Sequence, residues 1–477
     1  MANPTAEMGF YAQGRLRAAA RIADQEDPMT ADTLSTRLPG PRARDDDQAR
    51  AARHAEGHPS VSPGDIAVGV IIGRTSEYFD FFTYGIASVI VFPQVFFPFA
   101  DPLTGTLYAF AIFALAFIAR PFGTTLFMHV QKRWGRGVKL TAALFLLGTA
   151  TAGIAFLPVH ETLGVHAIVL LALFRCLQGV AWGGSWDGLP SLLALNAPAR
   201  RRGWYAMLGQ LSAPIGFIVA GALFLYLYTR LDPADFIGWG WRFPFFVAFA
   251  INVVGLFARL RLVMDNEFSR LLEERELRPI GTLEMVRTQG RHIVTGAFAS
   301  LASYALFHLV TLFPLSWLVL QHQRAVPQVL SIELLGAAVA LGAMLYSGHL
   351  ANRIGRRHTL GLIAALIGVF ALASPWLLGG GAVRQDAFVL IGFALLGLSY
   401  GQSSGTATAN FLPACRYTGA ALTADLAWLL GAAFAPLVAL GVSDRYGLGG
   451  ISLYLLSGAA CTLAALAANR SARRAAA

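Results

Sequence analysis

The sequence predicts an all-α membrane protein of twelve transmembrane helices arranged as two six-helix pseudo-repeats. Three observations predict it. The 477 residues are 56% hydrophobic and only 13% charged, far from the roughly one-quarter charge of soluble domains. A soluble chain this apolar would expose large sticky patches. Apolar stretches of about 20 residues, enough to cross a hydrocarbon core, recur from Asp65 onward. Finally, a motif of the first half returns in the second at one register, as described below.

The expected spans are 66–92, 104–129, 138–157, 164–192, 203–228, 243–262, 292–318, 327–349, 359–378, 386–411, 419–441 and 449–468. Short loops join all but the sixth and seventh, which are separated by the polar, charged segment 263–291. The chain thus divides into a tail (1–62), a six-helix half (63–262), a central linker (263–291), a second half (292–469) and a short tail (470–477). Two halves joined this way are the architecture of a transporter. Residues 1–62 are polar and Arg-rich, and no apolar run of signal-peptide length follows their charges, so they read as a disordered cytoplasmic tail rather than a secretory leader. An over-extended start is the alternative.

The net charge of +10 comes from 35 Arg and 2 Lys, a bias that reflects GC-rich coding better than a nucleic-acid surface. The Arg and Lys residues also set topology. The loops after even-numbered spans, with the C-terminal tail and flanking span ends, hold 21; the loops after odd-numbered spans hold 5. Both termini are therefore expected inside. Cys176, Cys415 and Cys461 form no CxxC pair, which leaves no disulfide framework. Neither a P-loop nor a GxSxG elbow is present, and no metal-ligand cluster stands out. An enzyme is not expected.

The repeat is His129-x-x-x-Arg133-x-Gly135-Arg136, returning as His349-x-x-x-Arg353-x-Gly355-Arg356, 220 residues later at each matching position. A Gly turn with several Arg at helix ends makes a gating latch, since helix C-termini favour cations. Charges at membrane depth mark cavities, pairs or ion paths, and few are present: Arg74, Glu77, Asp80, Arg120, Arg175 and Asp187 in the first half, His308 and Asp425 in the second, with Glu333 nearer a membrane end. At about 1.5 Å per residue, Asp80 and Arg175 both fall near the midplane. They form the expected proton-coupling pair, with Glu77 the second acid: a carboxylate released from its Arg accepts a proton. Glu77 could instead neutralise Arg74 within one turn. Arg74 and Arg175 are cationic anchors for a carboxylate. Tyr84, Gln178, Tyr304 and His308 complete the candidate substrate contacts, and Tyr78, Trp182, Trp186, Tyr400 and Trp428 are further aromatic candidates for the cavity. Arg120, which precedes Pro121, is divided between gating and substrate contact. Asp187 is placed to bind a basic loop.

Several stretches together resemble the major facilitator superfamily, in its metabolite:proton symporter branch. They are Glu77-Tyr78-Phe79-Asp80-Phe81-Phe82-x-Tyr84-Gly85, Ala119-Arg120-Pro121-Phe122-Gly123, Arg175-x-x-Gln178-Gly179 with Gly183-Gly184, Arg202-Gly203, Gly240-Trp241-Arg242-Phe243-Pro244-Phe245 and Arg416-Tyr417-Thr418-Gly419. The match runs over about 65–465. Five acids usual in that family are replaced, by Lys132, Ser185, Asn196, Asn352 and Asn410. The resemblance implies a monomeric transporter of the bacterial inner membrane, embedded in lipid, using the proton gradient and no cofactor, with no nucleic-acid partner. Its implied activity is alternating-access, proton-coupled uptake of a small organic anion. A proton symporter of proline or betaine, a proton-antiport exporter and a non-transporting sensor are the alternatives.

Overall fold

The computed structural model describes residues 63–185, 201–263, 279–404 and 411–475. Helices supply all the regular secondary structure among them. In chain order these are α1 (Pro63–Ile90), α2 (Phe92–Phe96), α3 (Pro102–Ala155), α4 (His160–Leu163), α5 (Val165–Gly184), α6 (Arg202–Leu208), α7 (Ser212–Arg230), α8 (Pro233–Gly238) and α9 (Phe243–Val263). The second half adds α10 (Thr282–Phe298), α11 (Leu301–Thr311), α12 (Phe313–Leu320), α13 (Val326–Ile354), α14 (Arg356–Leu378), α15 (Ala382–Tyr400), α16 (Arg416–Gly431), α17 (Ala435–Tyr446) and α18 (Gly449–Ala475).

Twelve crossings follow from these helices. Among the described residues, ten helical stretches are long and apolar enough to span a bilayer. The 54-residue α3 is two spans in one, folded at Gly135. The twelfth, α1, is long enough but holds Arg74, Glu77 and Asp80 within a short run. Three spans are broken. α6 and α7 are interrupted before Pro214, α11 and α12 at Leu312 before Pro314, and α16 and α17 before Pro436. Each Pro lacks the N–H that would carry the helix through. The expected linker is helical over 282–291, where α10 begins, while its residues 264–278 lie outside the described residues.

The sequence repeat is also a repeat of backbone conformation. Gly135 and Gly355 both turn the chain at positive φ, +86° and +83°, a region that suits glycine. We call the side of the molecule that carries them the turn side.

Within the first half, α3 and α5 touch backbone to backbone. A Cβ on Gly179 would stand 2.1 Å from the Ala116 carbonyl oxygen, one on Gly123 2.1 Å from that of Val180, and one on Gly183 2.3 Å from the Thr124 nitrogen. Small residues four apart permit such approach between membrane helices. The second half repeats it between α13 and α15, where a Cβ on Gly397 would stand 2.4 Å from the Ala340 oxygen.

Between the halves the contact is aromatic. Phe82 stacks on Phe307 (5.8 Å, 9°), Phe117 on Trp428 (5.7 Å, 22°) and Phe81 on His308 (5.4 Å, 20°).

Candidate functional site

The close α3–α5 packing positions the first polar centre. Arg175 lies one turn before Gly179, and its Nε donates to the Phe113 carbonyl of α3 at 3.2 Å. Its Nη1 donates to Gln178 Oε1 at 3.0 Å. The guanidinium lies over the rings of Tyr84 (4.0 Å), Phe113 (4.6 Å) and Trp182 (4.9 Å), a favourable setting for a desolvated cation. Gln178 Nε2 in turn donates to Thr151 Oγ1 at 3.0 Å and to Asp80 Oδ2 at 3.5 Å, and Thr151 Oγ1 donates to Asp80 Oδ1 at 2.8 Å. Asp80, Arg175 and Gln178 are all 0% exposed.

Asp80 and Arg175, the expected coupling pair, are therefore neighbours. The two are brought together, but the Gln178 amide stands between them. Gln178 is one turn along the same helix as Arg175, and its carbonyl and amino ends face one charge each. The carboxylate is therefore held by neutral donors, and the cation by a carbonyl and π faces. Tyr84, expected at the substrate, belongs to this centre.

The second centre is a cavity of about 30 Å³ between the halves, room for about one water. Its wall includes Arg74, Arg120, Gln210, Tyr304, Tyr400, Ser403, Thr423 and Trp428. The Tyr78 and Tyr400 hydroxyls hydrogen-bond to each other across the halves, and the Arg74 guanidinium lies 5.9 Å from the Tyr78 ring centre. Of the expected substrate residues, Arg74 and Tyr304 reach this cavity. Arg175, Gln178 and Tyr84 do not line it. His308 lies in the aromatic wall instead, with Nδ1 3.5 Å from Thr311 Oγ1. Glu77 is half-buried on α1.

Towards the turn side, polar contacts tie the halves together. Arg120 Nε and Asp425 Oδ1 form an ion pair at 2.8 Å, and Thr124 also donates to Asp425. Arg120 thus both bridges the halves and lines the cavity. Buried Lys139 donates to Tyr417 Oη (3.0 Å) and Gln131 Oε1 (3.1 Å), and Tyr417 Oη donates to the same oxygen (2.8 Å). Asn352 Oδ1 accepts the Gly203 N–H at 2.9 Å. An amide oxygen thus makes an inter-half contact at one of the positions where the family's acid is missing. Arg133 is exposed and lies over Trp134, Arg353 is exposed, and Arg136 and Arg356 are half-buried. Asp187 lies outside the described residues.

Sequence reasoning missed the Lys139–Tyr417–Gln131 cluster. The signal was available: Lys139 is one of only two lysines, placed at the start of an apolar span.

Comparison with known proteins completes the picture. The family described as Major Facilitator Superfamily matches residues 78–436. The chain is 38% identical over 420 residues to the "Inner membrane metabolite transport protein YhjE" of Escherichia coli K12, covering 86% of this chain and 94% of that one. It is 28% identical to the "Shikimate transporter" of the same organism, covering 84% and 93%. Among solved structures it is similar in fold to the proton:xylose symporter XylE bound to 6-bromo-6-deoxy-D-glucose, with a TM-score of 0.63 at 17% identity, covering 84% and 94%.

Proposed function

The chain belongs to the major facilitator superfamily, and from that premise we propose that this multi-pass membrane transporter is a proton-coupled importer of a small organic anion. It works by alternating access around the cavity between its halves, 63–262 and 292–469. It needs no cofactor, since the proton gradient supplies the energy. It sits in the bacterial inner membrane as a monomer in lipid, with both termini inside.

One observation carries this reading: a single helix, α1, brings Arg74 to the cavity and Asp80 to the buried polar centre. An anion drawn to Arg74 pulls on the helix that holds Asp80. A shift of α1 takes the carboxylate away from Thr151 and Gln178, and a desolvated carboxylate without its donors takes up a proton. Arg74 in the wall supplies positive charge for a carboxylate, and Arg120 adds to it once parted from Asp425. Gln210, Ser403 and Thr423 supply donors for hydroxyl or carbonyl groups, and Tyr304, Tyr400 and Trp428 supply flat faces. This wall fits a compact, hydroxylated or unsaturated acid. The cavity holds only a water or so, so the described state is closed and substrate enters after the halves rock apart.

The aromatic faces also favour a second reading, a quaternary ammonium osmolyte held by cation–π contacts. Uptake into proteoliposomes separates the two. Labelled shikimate and dicarboxylates should accumulate when an acid-outside gradient is imposed, and Asp80→Asn should abolish accumulation while counterflow exchange persists. Accumulation of glycine betaine with no acid transported would replace the anion reading. Normal accumulation by Asp80→Asn would remove Asp80 from the coupling.

A further inference from the structure

Glu333 lies about two turns into α13 and is 0% exposed. It is fully buried although it stands near the start of a span. Among the described residues no side chain bonds either carboxylate oxygen, and the donor that approaches them is a backbone amide. The carboxyl faces the backbone amide of Leu315, in the first turn of α12, just past the break at Leu312. Pro314 has no N–H to offer the Val310 carbonyl, and the helix restarts with Ser316 N–H to Leu312 O at 3.1 Å.

Among the described residues the surroundings hold no counterion for it. α12 carries no titratable residue. α15 brings Arg384 and Asp386 at its start, the latter paired with Arg324, and Tyr400 at its far end. α7 brings Tyr226, Tyr228 and Arg230 at its end, α6 brings Tyr205, and α14 brings Arg356, Arg357 and His358 at the turn side. α13 itself adds Tyr346, His349 and Arg353 at its turn-side end. None of these pairs with Glu333. A lone carboxylate in such an interior is costly, whereas the protonated acid is neutral and can rest there.

The position is also mechanically placed. Leu312 packs against Gly85 of α1, where an added Cβ would meet it at 3.1 Å, and Leu334, next to Glu333, packs against Gly221 of α7 at 3.0 Å by the same measure. Both are contacts between the two halves. Rocking the halves apart on the side away from the Gly turns therefore shifts the helix end that Glu333 faces.

We propose that Glu333 is a second proton-binding carboxyl, carried by the C-terminal half, that holds its proton in the closed state and exchanges it when α12 swings at the Leu312 break. The inference rests on the transport reading above for its role in the cycle, but the proton site is testable without substrate. The test is pH-titrated infrared difference spectroscopy of the full chain in liposomes. Wild type should show a protonated-carboxyl C=O band, shifted in D2O, that disappears on alkalinisation and is missing in Glu333→Gln. Glu333→Asp should restore a titrating band at a displaced frequency, which guards against misfolding of the Gln variant. A wild-type spectrum that Glu333→Gln leaves unchanged would overturn the inference. So would a Glu333 band that never titrates, which would mark a permanently neutral structural acid. No substrate or gradient enters this measurement, so failure of acid uptake and failure of the Glu333 site are read separately.

Discussion

The two halves use one packing scheme and opposite electrostatics. α3 against α5 and α13 against α15 are both backbone-close pairs closed by glycine. Around the first pair, Asp80, Arg175, Gln178 and Thr151 share a network of named hydrogen bonds. Around the second, Glu333 has no side-chain partner among the described residues and faces only the backbone amide of Leu315. Buried polar groups without partners are expensive, so the two arrangements answer different needs. The network of the first half keeps opposite charges apart but connected through an amide. The isolation of the second leaves an acid with no counter-charge among the described residues.

The largest effect should come from breaking the packing under the network. Gly179→Ala places a methyl 2.1 Å from the Ala116 carbonyl oxygen, so α3 and α5 must separate and Arg175 loses its bond to Phe113. We expect a loss of at least about 3 kcal/mol, the upper end for overpacking, and little monodisperse protein on size-exclusion. Gly397→Ala, at 2.4 Å from Ala340, should lower the thermal midpoint less. Equal losses in the two halves would show that the polar network adds nothing to the first.

The next effect sharpens the contrast between a paired and an unpaired acid. Asp425 is 3% exposed, and Arg120 is its ion-pair partner. Arg120→Ala strands that carboxylate and should cost about 3 kcal/mol, softened by the donor Thr124. Adding Asp425→Ala should recover part of the loss, and a double-mutant cycle on thermal stability measures the coupling. Additive losses would mean that the pair is incidental.

How far these features were legible differs by kind. The spans, their grouping and the Gly135/Gly355 repeat follow from hydropathy and spacing, which are properties of the chain itself. The short list of membrane-depth charges was equally readable, because a charge in lipid is rare. Their partners were not. Depth along a helix placed Asp80 level with Arg175, but it says nothing of rotation about the helix axis, and Gln178 took the space between them. Arg120 and Asp425 lie on helices hundreds of residues apart in the chain, and no local pattern joins them. The burial of Glu333 was not readable, because position along the chain does not reveal what packs over a side chain. The break at Leu312 was hidden inside an apolar run despite Pro314.

The smallest expected effect tests the equivalence of the halves where they are most alike. Gly135 has φ +86° and ψ 173°, and Gly355 has φ +83° and ψ 142°. A Cβ on either would meet nothing within 4 Å, so any penalty is torsional. Positive φ with ψ near 180° is ground that essentially only glycine occupies, at roughly 1–3 kcal/mol for other residues. Gly135→Ala and Gly355→Ala should each cost about 2 kcal/mol, read as lowered thermal midpoints. Asn relieves strain where a left-handed residue has ψ near +47°, which is not the case here. Gly135→Asn should therefore be no better tolerated than Gly135→Ala. A clear rescue by Asn would mean that the turn relaxes to the ordinary left-handed conformation, and that glycine stands there for a reason other than backbone geometry.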